Sequence, residues 1–164
     1  MKLSGSCHCG NVQFEVESDH PYPFNLCYCS ICRKTAGSGG YGINLGGDFR
    51  SLRIISGEKE IRLYQAEIAN GIGEVTKSPC ERRFCGSCGS ALWVYDPRWP
   101  DLIHPFASAI DTPLPAPPEK VHLMLDSKPA WVFLNLGDSD TQFGEYPLES
   151  IEDWHKRLGL ESLE

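Results

Sequence analysis

Residues 11–18, NVQFEVES, set Val12, Phe14 and Val16 against polar neighbours, the period-two alternation of a strand with one buried face. Residues 22–29, YPFNLCYC, read as extended from their proline and aromatic content. SICRKTAG, at 30–37, has room for a helical turn that Gly37 ends. After the glycines that follow, YGINL, SLRII, EIRLYQ, RRFC, SALWVYD, LIHPFASAI and VHLML are strand-sized, and turn sequences such as GGD and SGEKE separate them. Four prolines in DTPLPAPPEK, at 111–120, exclude a helix or a central strand and predict an extended connector. Residues 66–79 are polar and contain glycine, so they read either as a loop or as a weakly specified strand. In PLESIEDWHKRLGL, Ser150 is placed to cap a helix whose Ile151, Trp154 and Leu158 share one face. Eight or so short strands and a short C-terminal helix predict a mainly β domain.

Length adds that one domain, residues 1–164, is expected, because the chain is too short for two cores of ordinary size. A net charge of −7, with cations grouped only as Arg33-Lys34 and Arg82-Arg83, argues against a phosphate-tracking surface and so against nucleic acid. No apolar run reaches the roughly 18 residues of a membrane span, and MKLSGSCHCGN lacks the apolar stretch of an export signal. Cytoplasmic residence is the expectation.

The eight cysteines change the picture most. In a reducing compartment their spacings are those of metal ligands rather than of a disulfide framework. FCGSCG, at 84–89, is a C-x-x-C-G knuckle, whose turn brings Cys85 and Cys88 to one metal while glycine takes the left-handed backbone. A thioredoxin-like dithiol would open a helix, whereas strand-like SALWVYD follows here. The natural partner is CHCG, where Cys7 and Cys9, two apart in an extended segment, face the same side and His8 points away. Those four thiolates make a closed tetrahedral site, for zinc or for rubredoxin-like iron. Cys27, Cys29 and Cys32 remain for a second metal with an open position, the arrangement of a catalytic site. Cys80 is left over, either as a buried inert thiol or as a fourth ligand that would close the second site. Arg33, Lys34, Arg82 and Arg83 are placed to offset the thiolate charge.

In order and spacing, SGSCHCGNVQFEV, CYCSICRKTAGS, LRIISGEKEIRLYQ and RRFCGSCGSALW resemble the glutathione-dependent formaldehyde-activating enzyme family. That family, also called S-(hydroxymethyl)glutathione synthase, includes the related centromere protein V. VHLMLDSKPAWVFL is similar to its later region, so a family-type core of about 3–136 is expected. The resemblance implies a zinc-binding β-tent fold related to zinc ribbons. It implies two zinc ions, a structural one on Cys7, Cys9, Cys85 and Cys88 and a catalytic one on Cys27, Cys29 and Cys32. It further implies a carbon–sulfur lyase-type enzyme that joins glutathione, or a similar thiol, to formaldehyde or another small aldehyde. The chain carries Tyr28 where the family often has histidine, and Cys80 lies outside the family pattern. Two alternatives stand beside this: a zinc-stapled protein-binding module without chemistry, and the same site acting on a different thiol adduct. Oligomeric state is not legible.

Other features have plainer readings. GSGGYG, at 37–42, matches a dinucleotide-loop pattern but lacks the β-α-β setting, so a turn into YGINL is expected. None of His8, His20, His104, His122 and His155 is assigned catalysis. Trp93, Trp99, Trp131 and Phe106 are expected in the core or a pocket wall.

Overall fold

A computed structural model describes residues 1–69 and 71–160. Among these residues the strands are β1 (Lys2–Ser6), β2 (Gln13–Glu17), β3 (Phe24–Cys27), β4 (Gly42–Asn44), β5 (Gly47–Asp48), β6 (Arg53–Ser56) and β7 (Ile61–Tyr64). They continue with β8 (Glu67–Ala69), β9 (Val75–Lys77), β10 (Glu81–Cys85), β11 (Ala91–Tyr95), β12 (Leu102–Pro105), β13 (Lys120–Leu123) and β14 (Thr141–Gln142). Two short helices join them, α1 (Ser30–Thr35) and α2 (Ile151–Arg157). The fold is mainly β, as expected, with a short C-terminal helix.

The alternation in NVQFEVES does what it predicts. Phe14 and Val16 turn inward from β2, and Leu3 of β1 lies opposite Val16. The sheet β1-β2-β6 packs its inner face on the sheet β5-β12-β11-β10-β7. Val12, Leu45, Leu92, Trp93 and Ile103 fill the space between, and the Phe14 and Trp93 rings meet edge to face at 5.0 Å.

A third sheet, in the order β14-β13-β3-β4, is partly parallel and carries the second cysteine group at the end of β3. Residues alternate across β3, so Cys27 faces one cluster, with Val121, Leu123 and Trp154, while Leu26 and Tyr28 face another, with Val132. α2 begins where the sequence places it, with the Ser150 hydroxyl accepting from Asp153 N at 3.0 Å and Trp154 buried.

Three segments refine the reading. LIHPFASAI is a strand only as far as Pro105. Proline there has no N–H for the ladder with β11, and Ala107–Ala109 tighten into a 3-10 turn. Within residues 66–79, β8 and β9 pair antiparallel and both are exposed. The proline-rich connector runs without regular structure and is tied to β1 where Ser4 N donates to Thr112 Oγ1 at 2.8 Å. Among the described residues no helix is long and apolar enough to cross a membrane.

Candidate metal centres

Two turns of the same design make the first centre. After β1, Gly10 N donates to Cys7 O at 2.9 Å and Val12 N to Cys7 Sγ at 3.2 Å. At the end of β10, Gly89 N donates to Cys85 O at 2.8 Å and Cys85 N to Ser90 O at 2.9 Å. Gly10 and Gly89 both hold left-handed backbone, at φ of 76° and 75°. The knuckle expected of FCGSCG is therefore matched by a turn in CHCG. This corrects the extended CHCG of the sequence reading: the sulfurs of Cys7 and Cys9 converge through a turn, not through strand alternation.

The sulfurs of Cys7, Cys9, Cys85 and Cys88 all lie within 4.8 Å of one another. Cys7 and Cys9 are 3.4 Å apart, and Cys9 and Cys85 are 3.9 Å apart. The Ser90 hydroxyl and backbone draw the Cys88 thiol down to about 5. Like-natured neighbours this close form a stable set when a cation sits among them, and four thiolates complete a tetrahedral shell.

The second centre is built from one short stretch. Cys27 ends β3, Cys29 caps α1 with its sulfur accepting from Cys32 N at 3.3 Å, and Cys32 lies in the helix. Their three sulfurs also fall within 4.8 Å of one another, with Cys27 and Cys32 buried. Hydrogen bonds from the Cys27 and Cys32 side chains hold the Cys29 thiol down at about 2, while Cys27, as donor to both neighbours and buried, is pushed up. Cys80, half-buried, stands outside this set. Burial raises its thiol above the ordinary value, with Arg82 nearby opposing that. The structure thus brings together three sulfurs, not four.

A buried cation borders the trio. Arg82 is 8% exposed, its Nη2 lies 3.9 Å from Cys32 Sγ, and its Nε and Nη1 are buried without a partner. Burial opposes its charge, yet the Cys32 and Cys80 sulfurs hold the guanidinium pKa above its usual range. A guanidinium buried beside neutral thiols would be costly, whereas beside a thiolate set it is compensated. The donor chemistry and this cation fit a metal held by three thiolates. Arg33 also has a buried, unpartnered Nε, and Lys34 is exposed. A cleft of about 330 Å³, lined by Thr35, Tyr64, Arg82, Arg83, Phe84 and Phe106 among others, adjoins the same arginine.

Tyr28 stands between two of the sulfurs in sequence but points away from them. Its hydroxyl lies 2.8 Å from His122 Nδ1, and His122 Nε2 lies 3.4 Å from Asp140 Oδ2. The other histidines also keep away from the sulfurs: His104 Nδ1 meets Leu45 O at 3.0 Å, His155 Nε2 meets Tyr22 O at 2.8 Å and packs on His20, and His8 is exposed. Trp93 and Phe106 are core residues and Trp99 lines an open cleft with Arg50 and His155, as expected, whereas Trp131 is on the surface, which corrects its expected place. GSGGYG forms a turn, with Gly40 N donating to Gly37 O at 3.0 Å.

Sequence reasoning missed two residues of the tail. Trp154 shares the packed cluster of Cys27 and Cys32. Tyr146 keeps much of its ring in solvent, but burial at its hydroxyl end, and then the charges of Cys27, Cys29, Cys80 and Cys32, push its pKa up. Amphipathic spacing flagged Trp154 as inward-facing, but no pattern in the chain says against what, and Tyr146 carries no signal at all.

Comparison with known proteins agrees with this geometry. The family model for the glutathione-dependent formaldehyde-activating enzyme matches residues 2–127. A protein of Halomonas elongata named for the same family is 62% identical over 161 residues, covering 98% of this chain and 99% of its own. A crystal structure of a Rhodobacter sphaeroides protein superposes with a TM-score of 0.51 at 26% identity, over 70% of this chain and 92% of that one. The chain belongs to the glutathione-dependent formaldehyde-activating enzyme family.

Proposed function

We propose that this chain is a two-zinc enzyme of the carbon–sulfur lyase type, which joins glutathione or a similar small thiol to formaldehyde or another small aldehyde. The observation that carries the reading is the trio: three convergent sulfurs beside a buried arginine, with Cys80 outside the set. Cys7, Cys9, Cys85 and Cys88 would hold the structural ion and Cys27, Cys29 and Cys32 the catalytic one. Zinc, when bound by three thiolates, supplies an open position at which a thiol is deprotonated near neutral pH.

The chain's own residues do the rest. The trio gathers negative charge at one point, and Arg82 offsets it from beside Cys32. The thiol sulfur adds to the aldehyde carbon, so one C–S bond forms, the carbonyl π pair moves to oxygen, and the thiol proton ends on that oxygen. The product is a hemithioacetal, and the reverse direction is the lyase step. Tyr146, whose phenol burial and the charges of Cys27, Cys29, Cys80 and Cys32 keep protonated, is the group assigned to donate a proton to the developing alkoxide. Family membership and the relative's name support glutathione and formaldehyde as the pair. The acidic surface and the glutathione chemistry are consistent with a cytoplasmic protein.

The test measures metal content and thiol–formaldehyde exchange by magnetisation-transfer NMR in the wild type and Cys29→Ser. The expected result is two zinc ions falling to one, with exchange returning to the spontaneous rate. Wild-type protein with two zinc ions and no acceleration would sink the reaction.

A further inference from the structure

The family match ends at residue 127, yet the chain after it builds part of the trio's surroundings. Residues 143–145 run beside β13 and its continuation. Phe143 N donates to His122 O at 2.8 Å, Leu125 N to Phe143 O at 3.1 Å, and Met124 N to Glu145 O at 3.0 Å. β13 in turn holds β3 in parallel register, with Leu123 opposite Cys27. The tail is thereby hydrogen-bonded to the strand that carries the trio's first sulfur, one strand removed.

α2 then closes over the same region. Trp154, 2% exposed, lies in one packed cluster with Cys27, Cys32, Val121 and Leu123, and Phe143 and Leu158 pack against that cluster. The helix is fixed by a buried carboxylate. Glu119, immediately before β13, accepts from Trp154 Nε1 at 2.9 Å and from both Nη1 and Nη2 of Arg157 at 2.9 Å. Glu149 holds the same arginine from outside at 2.8 and 2.9 Å.

The sulfurs need this for a physical reason. Cys29 and Cys32 are oriented locally, by the helix cap they form. Cys27 ends a strand and has no such cap, so what packs on it helps select its rotamer among those the backbone allows. We propose that residues 141–158 clamp the trio, with Trp154 as the positioning residue that fixes Cys27 against the locally held Cys29 and Cys32, and with Glu119–Arg157 as the latch. The clamp rests on the reading of the trio as a metal site. It predicts that the tail, although outside the family match, governs one metal and not the other.

The test uses the full chain titrated with Co²⁺, following the thiolate-to-cobalt charge-transfer band and chelator competition. Cys29→Ser and Cys88→Ser assign each equivalent to its site. In Trp154→Ala the trio's affinity is expected to fall about tenfold or more while the quartet's is unchanged, and Trp154→Phe is expected to restore most of it. Glu119→Gln weakens the same site with the indole in place. If Trp154→Ala does not fold, Trp154→Leu and Glu119→Gln make the comparison instead. Wild-type affinity at the trio in the folded variants, or an equal fold-loss at both sites, overturns the clamp alone. A wild type that binds a single equivalent overturns the metal reading of the trio, and the clamp with it.

Discussion

Tyr28→Phe separates the two faces of β3. The residue lies between two of the trio's cysteines, so a linear reading of the chain places it in the metal site. In the fold its side chain is 1% exposed on the opposite face, with its hydroxyl 2.8 Å from His122 Nδ1. Burial holds His122 below its ordinary pKa and hence neutral near pH 7, and its Nε2 faces the Asp140 carboxylate. The Nε2–H tautomer therefore donates to Asp140, and Nδ1 accepts from the tyrosine hydroxyl. Removing that hydroxyl leaves a buried acceptor unpaired, at a cost of about 1–3 kcal/mol. For a domain of this size each kcal/mol lowers Tm by about 2–4 °C, so a drop of roughly 2–12 °C is expected. The assay is thermal unfolding followed by circular dichroism at fixed metal loading, with metal content measured on the same samples. Both metals are expected to stay. A variant as stable as wild type, or one that loses a metal without losing stability, would refute the face assignment.

Asp140 gives a pH signature. Burial opposes its ionisation, but Gly137 N, Lys120 N and the Lys120 ammonium outweigh it and hold the carboxyl at about 2, against 3.8 when unperturbed. A depressed folded pKa contributes stability above the unfolded value and loses it as pH falls through the folded one, here about 2 kcal/mol. The gap in unfolding free energy between wild type and Asp140→Asn should therefore be full near pH 6 and shrink below about pH 4; a gap that stays constant with pH contradicts the linkage. Gly89→Ala meets no heavy atom within 4 Å but must hold φ of 75°, so it is expected to cost about 1–2 kcal/mol in chemical denaturation with both metals retained. No change in midpoint would argue that the knuckle relaxes freely. A chelator that strips both sites should unfold the domain, and metal-free protein with wild-type thermal stability would show that the sulfurs are not its staple.

Where the chain's chemistry was local, the sequence was legible. The knuckle at Cys85 and Cys88 and the run from Cys27 to Cys32 announce themselves because ligand spacing and turn geometry are set within a few residues. Strand β2 was clear because alternation survives wherever one face is buried. β1 and β14 were not. β1 turns only Leu3 and Gly5 inward, and β14 is two residues long, so neither carries enough apolar signal. The turn at CHCG was misread as extended because its geometry comes from hydrogen bonds to the Cys7 carbonyl and sulfur, which side-chain spacing does not report. Trp154 and Arg82 show the remaining limit. Each was recognisable as inward-facing or charged, but their meeting with the trio is set by tertiary packing of segments far apart in the chain.

The two sulfur groups differ in how much chain each must draw together. Cys27, Cys29 and Cys32 leave the ribosome within six residues of one another, whereas Cys9 meets Cys85 across 76. With about 0.6 kcal/mol of entropy for each doubling of loop length, closing the longer loop costs about 2 kcal/mol more. During synthesis the trio's thiols are available together while the quartet still lacks half its members. The trio's thiols are thus all out first yet wait for Val121, Leu123 and Trp154 to pack around them, whereas the quartet has all its sulfurs once Cys88 is out.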